Sequence, residues 1–224
     1  MLVALGALVG LWFFRRELQR SGLPEGAVDC AVAGILGGMA GAKLLWVFEH
    51  LGEEPARDLI LSRGGMSWFG GLAGGVIAGL AVMQWKRFPK VAVLAAATPA
   101  LAIGHMIGRI GCFLVGDDYG RPTDLPWGVE FPEGLPPTTV PVHPTQLYEA
   151  AALIPIALVL LRLRRRHTPD RVVLGTYLVL AGIVRFAIEF IRINERVLGG
   201  LSVAHLASLA AVLVGGILLV SARR

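Results

Sequence analysis

The chain has 224 residues, 55% of them hydrophobic and only 17% charged, with a mean hydropathy of +0.67. A soluble globular domain carries about 25% charged residues, so this composition excludes water as the main solvent of the fold and points to lipid. The net charge of +5 does not require nucleic acid as a partner, because the basic residues gather in short loops between apolar runs, as the positive-inside rule expects.

A run that crosses a bilayer must be a helix, since its backbone finds no water to bond. The first run, Leu2–Phe14, precedes Arg15, Arg16 and Arg20. A signal peptide carries its charge first, so this is not one. The run is also short of the ~20 residues of a full span. Either protein covers part of this helix, or the true start lies upstream. The second predicted helix, Val28–Phe48, is rich in small residues (Gly34, Gly37, Gly38, Ala40, Gly41, Ala42) that let helix backbones approach closely. An acidic loop follows over 49–63. The third helix runs from about Gly64 to Trp85, and Gly64-Gly65 with Gly70-Gly71 indicate a tight entrance or a re-entrant bend. Lys86, Arg87 and Lys90 separate it from the fourth, Val91–Ile107. Residues 108–142 hold no span and read as a compact folded loop. The fifth helix is Leu147–Leu163, followed by the basic stretch Arg162–Arg171; the sixth is Val172–Ile193, and the seventh, Leu201–Ser221, ends on Arg223-Arg224. These segments alternate so that the basic loops share one side, which is then cytoplasmic. The reading is an all-α polytopic membrane protein, one integral domain over 1–224. It has about seven spans, its N-terminus outside, its C-terminus in the cytoplasm and a small periplasmic head over about 109–146.

Three stretches carry chemistry. In GRIGCFLVGDDYGR (108–121), Arg109 stands at a predicted helix end among Gly108, Gly111, Gly116 and Gly120. It either snorkels to the headgroups or faces an anionic substrate that the glycines let the backbone approach. Arg185, Glu189 and Arg192 fall at i, i+4 and i+7, on one face of the sixth helix. They form either a packing salt bridge or, with two arginines to one glutamate, a positive surplus for a desolvated anion such as a lipid phosphate. His143-Pro144 opens the fifth helix, where Pro is tolerated; His143, Gln146 and Glu149 follow at three-residue spacing, so at least two share a face, and Tyr148 is a belt residue or part of the site. His105, one turn before Arg109, either neighbours it or reads, like His205, as a packing histidine. Cys30 and Cys112 show neither disulfide nor metal spacing and the five histidines stand apart, so no metal or cofactor is expected.

In their order, GGMSWFGG (64–71), GRIGCF (108–113) with GDDYGR (116–121), HPTQLYE (143–149) and RFAIEFIR (185–192) resemble the prolipoprotein diacylglyceryl transferase family. The resemblance implies an enzyme of the bacterial cytoplasmic membrane. Such an enzyme moves the diacylglyceryl group of phosphatidylglycerol to the lipobox cysteine of a prolipoprotein signal peptide and releases glycerol phosphate. Its partners are then phosphatidylglycerol, prolipoproteins and the bilayer, with no nucleic acid. The catalytic set it implies is Arg109, Arg185 and Glu189; His143, or else His105, is expected as the base in place of the family histidine that Phe69 replaces. Substrate contacts are expected from Arg121, Asp117, Gly108, Gly111, Gln146, Tyr148, Glu149 and Arg192. The chain departs from the family's usual residues at Lys43 (Arg), Phe69 (His), Cys112 and Val115 (Asn) and Asp117 (Glu). These departures motivate a second reading, a catalytically altered relative that binds membrane phospholipid.

Overall fold

The apolar runs fold as helices, with ends that differ from those expected. A computed structural model describes residues 2–52, 55–62, 65–194, 196–197 and 199–222. Gly64 and the terminal Arg223-Arg224 lie outside the described residues. Among the described residues, five helical stretches are long and apolar enough to cross a membrane: Glu25–Glu49, Lys90–Val115, Thr145–Arg165, Asp170–Glu189 and Val203–Ser221. The chain is therefore a multi-pass, all-α membrane protein. Of the other two long helices, α1 (Leu2–Arg20) carries Arg15, Arg16, Glu17 and Arg20 in its last turns, and the apolar part of α4 (Trp68–Trp85) is the shorter stretch Phe69–Trp85. By internal contacts the chain divides into two units, Leu18–Val93 and Met1–Glu17 with Leu94–Arg224.

In the first unit, α2 (Val28–Glu49) packs lengthwise on α4, with the short α3 (Ala56–Leu61) between them in sequence. The contact is made by glycine against glycine. A Cβ on Gly41 would strike the carbonyl oxygen of Gly70, and one on Gly37 would lie 2.8 Å from that of Gly74. Lipid gives two helices no hydrophobic reason to associate, so close backbone packing supplies it. The expected glycine entrance is not helical: Gly65 has φ +72° and α4 begins at Trp68.

In the second unit, α5 (Lys90–Val115), α6 (Thr145–Arg165) and α7 (Asp170–Glu189) share a core that includes Ala95, Ala102, Leu153, Leu160 and Val173. Pro99 lies inside α5 and removes the donor to the Ala95 carbonyl; the Thr98 hydroxyl donates to that carbonyl instead, at 2.9 Å. α8 (Val203–Ser221) packs on α7 where Gly175 meets Gly215, and α1 meets α5 where Gly6 meets Gly104. At the basic end, the buried Arg164 holds Asp170 at 2.7 Å and Glu17 at 3.6 Å, tying α6, α7 and α1 together.

Between α5 and α6 lies the head. Strands β1 (Val129–Phe131) and β2 (Thr138–Val142) pair antiparallel, and Tyr119, Phe131 and Val142 form a small core against Phe113. The strands were not foreseen, because three to five residues give no readable alternation. The chain leaving α5 is stitched on both sides: Gly120 N–H donates to His143 O at 2.9 Å and Arg121 N–H to Ile191 O at 2.8 Å. A Cβ on Gly120 would lie 2.8 Å from His143, Thr145 and Ile191 atoms, so only glycine lets these three segments meet.

Candidate active site

The stitching at Gly120 brings the ends of α5 and α7 and the start of α6 to one place. Arg109 is not at a helix end, as expected, but inside α5, which continues for six residues to Val115. Gly108 and Gly111 are accordingly helical, and the chain turns only at Gly116 (φ +73°). A Cβ on Gly108 would meet nothing within 4 Å, and one on Gly111 would touch Leu2.

Arg109 is the hub. Its Nη1 lies 2.9 Å from Asp118 Oδ2, and its Nε lies 2.9 Å from Glu149 Oε2. The same Nε donates to His105 Nε2 at 3.2 Å, and that ring nitrogen is 3.4 Å from Glu149 Oε1. His105 is thus no packing histidine: spaced by four residues, it and Arg109 project from one face of α5 onto the buried Glu149 of α6. The other oxygen of Asp118 pairs with Arg192.

Arg185 and Glu189 pair at 2.8 Å along α7, as their spacing predicts. Arg192 does not continue that face. The helix ends at Glu189 and Arg192 lies in the turn beyond, where Gly120 bridges it. Glu189 is buried outright, and its Oε1 accepts from Ser202 Oγ (2.5 Å) and Asn194 Nδ2 (2.8 Å). Ser202 in turn caps α8 together with His205. Arg185 Nη1 is buried with no hydrogen-bond partner among the described residues. Arg185 also lies within electrostatic reach of Arg109, Arg192 and Glu149.

The expected surplus of two arginines over one glutamate becomes a balanced cluster. Arg109, Arg185 and Arg192 face Asp118, Glu149 and Glu189. Asp118 differs from the other two carboxylates: its side chain is 46% exposed, and its backbone is left-handed (φ +61°). Burial alone would push its carboxyl up, but Arg192 and Arg109, with a contribution from Arg185, outweigh that and hold it below the usual carboxylate range. Asp118, Asp117 and Cys112 also place one ligand atom each within 4.8 Å of one another, the one grouping among the described residues with donors suited to a cation. Asp118 is already engaged there by two guanidiniums.

The remaining predicted site residues are framework around this cluster. Gln146 is buried beside Glu149 and donates to the backbone oxygen of Asp117, while Thr145 Oγ1 donates to that of Asp118 at 2.9 Å. Arg121 Nη2 donates to the Phe190 carbonyl. His143 precedes α6, with Nδ1 3.3 Å from the Tyr148 hydroxyl, which also accepts from Trp127 Nε1 at 2.7 Å. No direct contact joins His143, Tyr148 or Arg121 to the arginine cluster among the described residues. Reading the sequence had His105 only as an alternative base and missed Asp118, Asn194 and Ser202. The four-residue step from His105 to Arg109 was a usable signal; the other three reach the cluster through turns that have no period.

Comparison with known proteins supplies the decisive observation. The family model described as prolipoprotein diacylglyceryl transferase matches residues 1–221. The chain belongs to this family. Among its relatives, the phosphatidylglycerol–prolipoprotein diacylglyceryl transferases of Geobacter sulfurreducens and Methylococcus capsulatus are each 37% identical to it. The alignments cover 89% and 93% of this chain and 78% and 84% of those proteins. That of Clostridium tetani is 30% identical over 96% of this chain and 88% of its own length. Among the described residues, Arg109, Arg185 and Arg192 are the guanidiniums that the structure pairs with Asp118, Glu149 and Glu189.

Proposed function

We propose that this chain transfers the diacylglyceryl group of phosphatidylglycerol to the lipobox cysteine of prolipoproteins and releases glycerol phosphate. The observation that carries the reading is the arginine cluster, in which Arg185 keeps a buried donor without an acceptor. A desolvated N–H of this kind is costly unless a ligand atom completes it. A phosphate oxygen suits a guanidinium fork in charge and geometry.

The reaction makes one bond and breaks one. The cysteine sulfur attacks the glyceryl carbon of the lipid, the carbon–oxygen bond to phosphate breaks, and that electron pair leaves on the phosphate oxygen. Charge therefore grows on the leaving phosphate, and arginines aimed at it lower the barrier most where water is scarce. Arg109 and Arg185 take this role. Glu149 and Glu189 hold the two guanidiniums in place. The sulfur must first lose its proton, since a thiol has a pKa near 8.5 and only the thiolate is nucleophilic. Of the two bases considered, His105 is favoured over His143 by its position against Arg109. When Arg109 turns to the phosphate, Nε2 of His105 is released to accept that proton.

The reading places the chain in the bacterial cytoplasmic membrane, with about seven spans, the head outside and the C-terminus in the cytoplasm. The test is transfer from phosphatidylglycerol vesicles to a lipobox peptide by the purified protein, with release of glycerol phosphate. Transfer is expected from the wild type, and Arg109→Ala should abolish it while still inserting into membranes. Full activity of Arg109→Ala would overturn the site assignment. Lipid binding by the wild type with no transfer would favour the phospholipid-binding reading.

A further inference from the structure

We infer that Asp118 holds the phosphate's place: its carboxylate occupies the anion position between Arg109 and Arg192 in the empty site, and the lipid phosphate must displace it. The inference rests on the reading of this cluster as the phosphate site. Three observations carry it.

The first is charge balance. Arg109, Arg185 and Arg192 are each ion-paired to Asp118, Glu149 or Glu189, so an arriving phosphodiester must take a guanidinium that a carboxylate already holds. Binding is favourable only if one carboxylate gives way, because like charges packed together in a water-poor site repel strongly.

The second is which carboxylate can move. Glu149 and Glu189 are both buried on transmembrane helices, and Glu189 is held besides by Ser202 and Asn194. Asp118 is on the loop after α5, is half-exposed, and its carboxylate is held by Arg109 and Arg192. Turning its side chain out to water leaves its own charge solvated, and the arriving phosphate takes over the buried guanidiniums it leaves.

The third is shape. The two Asp118 oxygens bridge Arg109 and Arg192, one oxygen to each. A phosphodiester offers the same pair of anionic oxygens, so it can take the carboxylate's place between the two guanidiniums. The backbone supports the exchange. Thr145 Oγ1 fixes the Asp118 carbonyl, so the main chain stays anchored while the side chain swings.

Asp118 would then set how tightly the lipid binds. Each binding event subtracts the Asp118 contacts from the lipid's own, and an ion pair with one half-exposed member is worth up to about tenfold in affinity. The test is Asp118→Asn, which keeps the size and tolerates the left-handed backbone but removes the charge. Two quantities are compared with the wild type: KM for phosphatidylglycerol in peptide transfer, and the binding of glycerol phosphate to the detergent-solubilised protein by calorimetry. The expected result is a fall of about three- to tenfold in KM and in the dissociation constant for glycerol phosphate, in the same ratio, with kcat changing by less than KM. Asp118→Gly, suited to the same backbone, should behave alike and serves if the asparagine variant folds poorly. A KM and a glycerol phosphate affinity that stay constant or weaken in correctly folded variants would overturn the inference. Absence of transfer by the wild type would count against the proposed function alone, because the glycerol phosphate measurement still decides whether Asp118 competes. Failure of glycerol phosphate to bind wild type and variants alike would overturn both.

Discussion

Arg185 shows why a charge inside a membrane helix needs partners on both sides. Glu189 meets one guanidinium nitrogen, and without it Arg185 would be a stranded cation. The converse holds more strongly, since Glu189 is buried outright and removing Arg185 leaves a carboxylate with less than its share of positive charge. Breaking a buried pair in this way costs about 3–5 kcal/mol, so loss of activity in Arg185→Ala would mix chemistry with instability. Arg185→Lys separates them. Lysine preserves the charge that Glu189 needs, so the thermal unfolding transition should move by only a few degrees. It lacks the fork that binds Glu189 and a phosphate oxygen together, so kcat should fall about 100-fold. Near-normal turnover of the lysine variant would show that Arg185 serves Glu189 alone. This pair was legible in the sequence because its four-residue step is local. Asp118 was not, although its pairing with Arg109 matters as much. It reaches Arg109 through a left-handed residue after a glycine turn, and no periodicity encodes where such a turn points.

At the scale of elements, hydropathy located the long helices but misplaced their ends where chemistry begins. α5 runs on past Ile107 through a glycine, an arginine and a cysteine, residues that look like a stop in sequence. Its last turns are held by the head, whose contacts are distant in the chain. α7 stops early, at Glu189, because Ile191 and Arg192 pair with the segment after α5 instead of continuing the helix. The small residues of α2 were read correctly as close-packing, whereas Gly70-Gly71 of α4 were read as an entrance or a bend, and the α2–α4 contact gives a prediction confined to this pair. A Cβ on Gly41 strikes the Gly70 carbonyl and lies 3.0 Å from Gly74 Cα, both backbone atoms that cannot rotate away. Gly41→Ala should therefore separate the helices and cost about 1–3 kcal/mol, despite alanine's better helix propensity. Gly216 of α8 meets nothing within 4 Å and is the control, since alanine there should be neutral or slightly stabilising. Thermal unfolding in detergent distinguishes the two, and equal transitions for both variants would show that the α2–α4 contact contributes nothing to stability.

For the whole molecule, charge and hydropathy together make a statement that neither makes alone. Five stretches satisfy the length and composition of a span, which leaves α1 and α4 to be assigned by the charges that flank them. Lys86, Arg87 and Lys90 follow α4, and Arg162, Arg164, Arg165 and Arg166 close α6. If both clusters are cytoplasmic, the head between α5 and α6 lies on the opposite face, because a single long helix separates it from each cluster. The arginine cluster then opens beside the head, on the face where a secreted substrate's cysteine emerges. This orientation can be read from two single cysteines in a background of Cys30→Ala and Cys112→Ser. Glu133→Cys lies on the exposed head, and Arg165→Cys is exposed at the far end of α6. In intact cells a membrane-impermeant maleimide should label the head cysteine and leave the α6 cysteine untouched until the membrane is opened. The opposite pattern would invert the protein and put the arginine cluster on the cytoplasmic face, where a lipobox cysteine arriving by secretion could not meet it. Labelling of both in intact cells would mean that α6 does not cross, and the same result would remove the hydrophobic setting in which three guanidiniums gain their strength toward a phosphate.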